Sequence, residues 1–255
     1  MRGSWLRSGK PSVPPAPSPP NQRTAFQDPL TPTFFRREGE QHPPAIITGL
    51  AAEARIAARL GLPIAIGGGT PSGAAEAAEH LAPHASALIS FGLAGGLDPA
   101  LPPGTLLVPT HVLAKDSQWP TDPALSALLG GPTPHTLFGD GAILATSAAK
   151  ADLRARTGAA AVDLESAAVA RAAARHGLPF AVLRAVCDPA SRDLPRAALV
   201  ALDARGRIGA LRIAAAILAQ PGAIPALVAL GRDAAAARHA LVTRVRAIGP
   251  LGSAS

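Results

Sequence analysis

The sequence has 255 residues, of which 48% are hydrophobic and only 3% aromatic, with no tyrosine. This length suits a single α/β domain. The lone cysteine, Cys187, excludes an internal disulfide and a cysteine-rich metal site, and it fits a reducing compartment.

The net charge of +7 does not indicate a nucleic-acid-binding protein, because the basic residues lie at the two ends of the chain. Residues 45–203 carry eleven basic and thirteen acidic side chains, whereas residues 1–44 carry six and three, and residues 204–255 carry seven and one. With so few aromatic rings, the chain also lacks the stacking platforms of single-strand binders.

The first 44 residues are rich in proline and serine and predict a disordered or polyproline tail. They contain no continuous apolar segment after the early arginines, so they do not form a secretory signal. We therefore expect a cytoplasmic protein. The predicted units are the tail (1–44), an α/β domain (45–203) and a C-terminal helical segment (204–248).

From residue 45 onward, short apolar runs alternate with helical patterns. Predicted strands cover residues 45–49, 63–66, 85–89, 104–109, 142–145, 160–162 and 180–186. Predicted helices cover residues 51–60, 72–81, 123–129 and 147–156, and a further helix is capped by Asp163 and runs to His176. This alternation predicts an α/β sandwich around a mostly parallel sheet.

A glycine-rich stretch, residues 90–97, follows the predicted strand at 85–89. Because glycine has no Cβ, Gly92, Gly95 and Gly96 allow a ligand or a neighbouring chain segment to approach the backbone. The spacing matches neither the dinucleotide fingerprint nor the Walker loop. A ligand site at the carboxyl end of a strand and a tight structural turn both remain open.

Three carboxylates occupy comparable places in the predicted sheet. Glu53 and Glu165 fall in the first turns of helices that follow strands, and Asp188 comes just after a strand. Parallel strands would gather these positions at one edge, beside the glycine stretch. Each carboxylate alone has a structural interpretation, such as stabilising a helix dipole. Together they are the set that an acid–base site needs.

The same residues carry a resemblance to a known family. Four segments resemble, in order and context, the purine nucleoside phosphorylase and methylthioadenosine nucleosidase superfamily: residues 46–53, Gly92-Leu93-Ala94-Gly95-Gly96-Leu97, Val162-Asp163-Leu164-Glu165-Ser166-Ala167 and Arg184-Ala185-Val186-Cys187-Asp188. Residues 90–101, 176–189 and 197–209 look most like the hopanoid-associated phosphorylases. The resemblance implies a three-layer α/β/α fold and release of adenine from adenosylhopane.

The resemblance also implies roles for individual residues. Asp188 corresponds to the acid that protonates N7 of the leaving purine, and Glu165 to the carboxylate that binds the ribose hydroxyls. Glu53 corresponds to the glutamate with which nucleosidases orient or deprotonate water. Among the remaining site residues, Leu164 corresponds to a residue beneath the sugar, and Gly92, Ala94 and Gly95 to backbone that borders sugar and base.

Two departures from the phosphorylases concern the nucleophile. Related bacterial phosphorylases have an arginine at the position of Glu53, and a phosphate-binding arginine and serine where this chain has Ser90 and Leu93. A carboxylate beside an incoming phosphate opposes its binding by Coulomb repulsion. The residues therefore favour water over phosphate, although backbone donors at Gly68, Gly69 or Thr70 leave phosphate open as a co-substrate.

The last part of the chain departs from the general superfamily. Residues 213–231 are apolar apart from Gln220 and are flanked by arginines, but Pro221, Gly222 and Pro225 would break a spanning helix. We predict two helices with a bend, which pack on the domain or an interface, or dock at the inner membrane surface.

The resemblance leaves several functions open. The alternatives to adenosylhopane cleavage are a methylthioadenosine or adenosylhomocysteine nucleosidase, a general purine nucleoside phosphorylase, and a non-catalytic lipid-binding scaffold. The histidines have no metal-ligand spacing, so we expect no metal. We also expect no cofactor, apart from inorganic phosphate as an open co-substrate. We further expect a lipid-linked or small nucleoside substrate, no nucleic-acid partner, and a homo-oligomer, most simply a dimer.

Overall fold

The computed structural model of this protein describes residues 42–195, 222 and 224–252. Within these residues, nine strands form one mixed sheet. The strands are β1 (Ala45–Thr48), β2 (Ile64–Ile66), β3 (Leu88–Gly96), β4 (Leu106–Leu107), β5 (His111–Leu113), β6 (Gln118–Pro120), β7 (Thr136–Phe138), β8 (Ala161–Val162) and β9 (Phe180–Asp188). The helices are α1 (Ala51–Ala57), α2 (Pro71–Leu81), α3 (Pro123–Leu128), α4 (Ser147–Thr157), α5 (Ser166–His176) and α6 (Ile224–Ile248), with 3-10 turns at Ala58–Leu60 and Ala82–His84.

Strand β3 is the centre of the sheet. It pairs in parallel with β1 over its first half and with β9 along nearly its whole length. Strand β8 pairs with β3 in the antiparallel sense at Gly95 and Gly96, and β7, β5 and β6 continue the sheet beyond β8. The chain segments that follow β1 and β8 therefore meet beside the second half of β3.

The two faces of the sheet are buried against different helices. Ile47, Leu88 and Val182 point into one core, to which α2 and α5 contribute alanines. Their neighbours in sequence point into the opposite core, which includes residues of α1, α3 and α6. This alternation follows from the period of two in strands. It confirms the predicted three-layer α/β/α arrangement around a mixed, mostly parallel sheet.

Several predicted boundaries are wrong. The glycines of the 90–97 stretch lie inside β3, with a register shift between Ala94 and Gly95, and do not follow the strand as a turn. Residues 142–145 form no strand. Strands β5, β6 and β7 were not predicted. Each has only three residues, and such short strands depend on pairing with neighbours rather than on local propensity.

Helix ends agree better with the predictions, because their signals are local. Gly61, Gly158 and Gly177 adopt positive φ values of 68°, 68° and 62° at the C-caps of the first 3-10 turn, α4 and α5. Thr146, just before the predicted start of α4, caps this helix by accepting a hydrogen bond from the amide of Ala149.

The C-terminal segment is described only from its second half onward. Ala237, Leu241 and Val245 of α6 are buried in the core with α1 and α3, so this helix packs on the domain. The predicted bend and first helix, like the predicted tail, fall largely or wholly outside the described residues. Each helix in the described part of the chain is too short or too polar to cross a bilayer.

Candidate active site

A cavity of about 270 Å³ opens at the carboxyl ends of β1 and β9, beside the second half of β3. All three predicted carboxylates line it. Apart from the acids and bases, the lining is mostly glycine and apolar side chains, among them Gly49, Leu50, Gly69, Leu93, Ala94, Gly95, Ala142, Ile143, Leu144, Val162, Leu164, Cys187 and Leu194. The structure therefore brings Glu53, Glu165 and Asp188 to one place.

Glu53 is buried at the third position of α1, where its side chain reaches back to the start of the helix. Oε2 accepts hydrogen bonds from the amides of Gly49 and Leu50, and Oε1 accepts one from the amide of Leu93 at 2.9 Å. Burial raises the pKa of Glu53, while Arg184 and these amides act in the opposite direction. The carboxylate thus caps the N-terminus of α1 by accepting hydrogen bonds from free amides, and it also lines the cavity.

Arg184, on β9, lies behind the cavity and is only 1% exposed. Its Nε lies 2.7 Å from Asp163 Oδ2 as an ion pair, outside hydrogen-bond geometry. Its Nη2 donates to Ser90 Oγ at 2.7 Å and to Glu165 Oε2 at 3.4 Å. We name Arg184, Asp163, Glu165 and Glu53 the arginine cluster, since one guanidinium faces three carboxylates.

Glu165 is the N-cap residue of α5 rather than a residue of its first turn. Asp163 takes over the capping, because its Oδ1 accepts hydrogen bonds from the amides of Glu165 and Ser166. Burial raises the pKa of Glu165 to about 7, with Asp163 and Glu53 adding to the shift and Arg184 opposing it. Among the described residues, Glu165 Oε1 is buried without a hydrogen-bond partner. It is an acceptor available to a ligand.

Asp188, the last residue of β9, pairs with a buried lysine of α4. Lys150 Nζ contacts Asp188 Oδ2 in a short ion pair and also donates to the carbonyls of Pro189, at 2.9 Å, and Arg192, at 3.1 Å. We name Lys150 and Asp188 the lysine pair. Cys187 donates to Asp188 Oδ1 at 3.3 Å, and burial raises the pKa of its thiol. This agrees with a packing role for Cys187.

The glycines make room for the charged side chains. A Cβ on Gly92 would lie 2.5 Å from Arg184 Nη1 and 2.6 Å from Glu53 Oε1, and one on Gly95 would lie 3.2 Å from Asp188 Oδ1. The close approach predicted for this stretch is therefore made by neighbouring side chains. Gly95 and Ala94 line the cavity, whereas Gly92 lies against the Glu53 side chain and is not among the lining residues.

Sequence reasoning missed two charged residues of the site. The sequence places Arg184 in a family segment without giving it a role, and Lys150 falls in a predicted helix outside these segments. A signal exists for Arg184, because an arginine in the middle of a strand buried on both faces needs carboxylate partners. Lys150 gives no such signal, since a lysine in an amphipathic helix usually faces solvent.

Comparison with known proteins agrees with this geometry. Residues 42–127 and 130–220 match the model of the phosphorylase superfamily. The chain belongs to the phosphorylase superfamily. The expectation of an enzyme that cleaves the N-glycosidic bond of nucleosides is confirmed at the level of this superfamily. No curated protein matches the chain.

Solved structures with the same fold include several nucleosidases. The 5′-methylthioadenosine/S-adenosylhomocysteine nucleosidase of Neisseria meningitidis, solved with methylthio-immucillin-A, is 17% identical, covers 81% of this chain and 99% of its own, and has a TM-score of 0.56. The corresponding Colwellia psychrerythraea enzyme, solved with adenine, is 19% identical, with 61% and 86% covered and a TM-score of 0.54. A futalosine hydrolase mutant from Helicobacter pylori is 17% identical, with 60% and 90% covered and a TM-score of 0.54.

Proposed function

We propose that the protein releases adenine from a 5′-substituted adenosine, and that its substrate is the lipid-linked nucleoside adenosylhopane. In this proposal, Asp188 protonates N7 of the departing base and Glu165 binds the ribose hydroxyls. Ala94 and Gly95 border sugar and base, and Leu164 lies beneath the sugar. Glu53 orients the attacking water.

The observation that carries the proposal is the convergence of three buried carboxylates in one cavity. Glu53, Glu165 and Asp188 are each less than 10% exposed, and all line the same space. Cleavage of an N-glycosidic bond needs an acid for the leaving group, a base or orienting group for the nucleophile, and negative charge near the developing oxocarbenium ion. A non-catalytic scaffold would have no reason to keep three desolvated carboxylates together.

The charge balance of the arginine cluster supports water as the nucleophile. Its one cation faces three carboxylates and is engaged by Asp163, Ser90 and Glu165. A phosphate entering beside Glu53 and Glu165 would find the Arg184 guanidinium already engaged by Asp163, and each carboxyl that is ionised would repel it. Water meets no such barrier and can donate a hydrogen bond to either carboxylate.

The shape of the cavity supports a nucleoside with an apolar 5′ substituent. About 270 Å³ is close to the lower limit of roughly 300–1,000 Å³ for ligand sites, enough for a nucleoside head but not for a polycyclic lipid as well. Ile143 lies on the rim of the cavity and is 45% exposed, so it offers an apolar contact to a 5′ substituent that extends out of the cavity. The lipid would thus remain outside.

The decisive assay compares adenine release from adenosylhopane and from methylthioadenosine, each with and without phosphate. We expect faster release from adenosylhopane and the same rate in phosphate-free buffer, with free ribose ends as product. Preference for methylthioadenosine would replace the proposed substrate. A requirement for phosphate, with ribose 1-phosphate ends, would overturn the role of water.

We also propose that the protein docks at the inner membrane surface, where such a lipid resides. Ile224 and Val228 share one face of α6 and are 44% and 47% exposed, with Arg232 one turn further on. They lie on the side opposite Ala237, which packs on the domain. They also directly follow the apolar sequence at 213–223. Exposed apolar residues with flanking arginines are what peripheral docking to anionic lipid requires.

Liposome flotation tests the docking. We expect the protein to float with anionic vesicles, less so at high salt, and expect Val228→Asp to weaken flotation while Thr243→Asp, an exposed position further along α6, leaves it unchanged. A wild-type protein that never floats would contradict the proposal. The expected homodimer stays a prediction, for which sedimentation equilibrium is the measurement.

A further inference from the structure

Lys150 is a charged residue of the cavity to which the proposed reaction assigns no role. It is 1% exposed, and in the described structure its ammonium group lies in the wall of the cavity beside Asp188. A lysine is rarely buried so completely unless it is paired. Its position in α4, across the cavity wall from the end of β9, gives it access to Asp188 Oδ2.

All three hydrogens of the Lys150 ammonium have acceptors. One goes to Asp188 Oδ2, and the other two go to the carbonyls of Pro189 and Arg192. The ammonium therefore has no hydrogen left for a ligand. Whatever Lys150 contributes to chemistry, it contributes through Asp188 and through the turn at 189–192 that follows it.

We propose that Lys150 is the positioning residue of the general acid and that it stabilises the charge Asp188 acquires during cleavage. This inference rests on the proposed function. In the resting protein Asp188 is the anion of the ion pair with Lys150, and it takes up a proton from solvent as the substrate binds. When the C1′–N9 bond breaks, the electron pair of that bond goes to the purine and the Asp188 carboxyl gives its proton to N7. The proton that the attacking water loses passes through Glu53 to solvent, which balances the proton that Asp188 took up. At the moment of transfer, negative charge appears on a carboxylate whose Oδ2 already contacts a buried ammonium group.

Such stabilisation acts only where the leaving group takes a proton. A preorganised cation next to a developing anion is effective in a water-excluded site because no reorganisation is required during the reaction. A leaving group that departs as a stable anion needs no proton from Asp188 and therefore gains nothing from Lys150. A merely structural lysine would instead affect both kinds of leaving group equally, since loss of packing does not depend on the base.

The experiment compares two leaving groups in the variant Lys150→Met, with Lys115→Met at an exposed position as matched control. For Lys150→Met we expect kcat/KM for adenine release from the 5′-substituted adenosine to fall by about 100-fold. Cleavage of the matching p-nitrophenyl riboside, whose phenolate needs no proton, should fall by less than about 5-fold. Lys115→Met should change neither.

Two outcomes would overturn the inference. Equal loss on both substrates would make Lys150 structural, and no loss on either would make it dispensable. If Lys150→Met does not fold, Lys150→Gln, which keeps donors for the two carbonyls without the charge, is subjected to the same comparison. Failure of the wild-type protein to release adenine from any 5′-substituted adenosine would instead refute the proposed function itself.

Discussion

The arginine cluster and the lysine pair line the same cavity, but their charges are compensated in different ways. In the cluster, one guanidinium is shared by three carboxylates, and burial raises the pKa of Glu53 and Glu165. In the pair, one ammonium faces one carboxylate, and backbone carbonyls take its remaining hydrogens. The cluster therefore relieves its excess of carboxylates by favouring protonated carboxyls, whereas the pair is balanced as one anion and one cation.

Removing the acid of the lysine pair is expected to have the largest effect. Asp188→Asn should lower adenine release by about 1,000-fold, because a general acid contributes between a hundredfold and ten-thousandfold and an amide cannot supply the proton. Circular dichroism should show a folded protein. The control is Asp98→Asn, outside the cavity, where Asp98 pairs with Arg154. Activity that survives in Asp188→Asn would show that another group protonates the base.

Removing the cation of the arginine cluster is expected to have the second-largest effect, which is a loss of stability. Arg184→Met leaves Asp163 and Glu165 buried without their counter-ion, which costs about 3–5 kcal/mol in free energy of unfolding. Urea denaturation measures this loss. In the control, Arg175→Met breaks an exposed pair with Glu79 and should cost less than about 1 kcal/mol. Comparable losses in the two variants would mean that the cluster is not a buried network in solution.

A smaller effect is expected in the pH dependence of the free energy of unfolding, and it tests the charge state of the arginine cluster. Because the pKa of Glu165 is raised to about 7, the folded state favours the protonated carboxyl. Its contribution is fully present below the ordinary value of 4.5 and is lost as pH rises through 7. Between pH 5 and pH 8, wild type should therefore lose about 2 kcal/mol relative to Glu165→Gln.

Urea unfolding of both proteins at the two pH values measures this difference, with Glu76→Gln at an exposed position as control. A stability gap between wild type and Glu165→Gln that stays constant with pH would show that Glu165 is ionised in the folded protein throughout. The arginine cluster would then be more fully compensated than its burial implies.

The meeting of the three carboxylates was predicted correctly, but only partly for the right reason. Glu53 and Asp188 follow or end strands that run parallel to β3, so their convergence obeys the rule for parallel sheets. Glu165 follows β8, which is antiparallel to β3. Glu165 reaches the site because β8 is short and pairs with the last two residues of β3, Gly95 and Gly96. The chain after β8 then continues antiparallel to β3, toward the start of that strand.

The sequence by itself determined the alternation of strands and helices, the helix ends at glycine, and the three carboxylates, because these depend on local patterns of apolar, small and acidic residues. Only the tertiary structure decided that Arg184 and Lys150 belong to the site, that the glycines lie inside β3, and that α6 packs on the domain. A buried charge is stable only beside its partner, and Lys150 and Asp188 are 38 positions apart in the chain. No local pattern carries that information, since the pairing is set by which strands and helices become neighbours in the folded sheet.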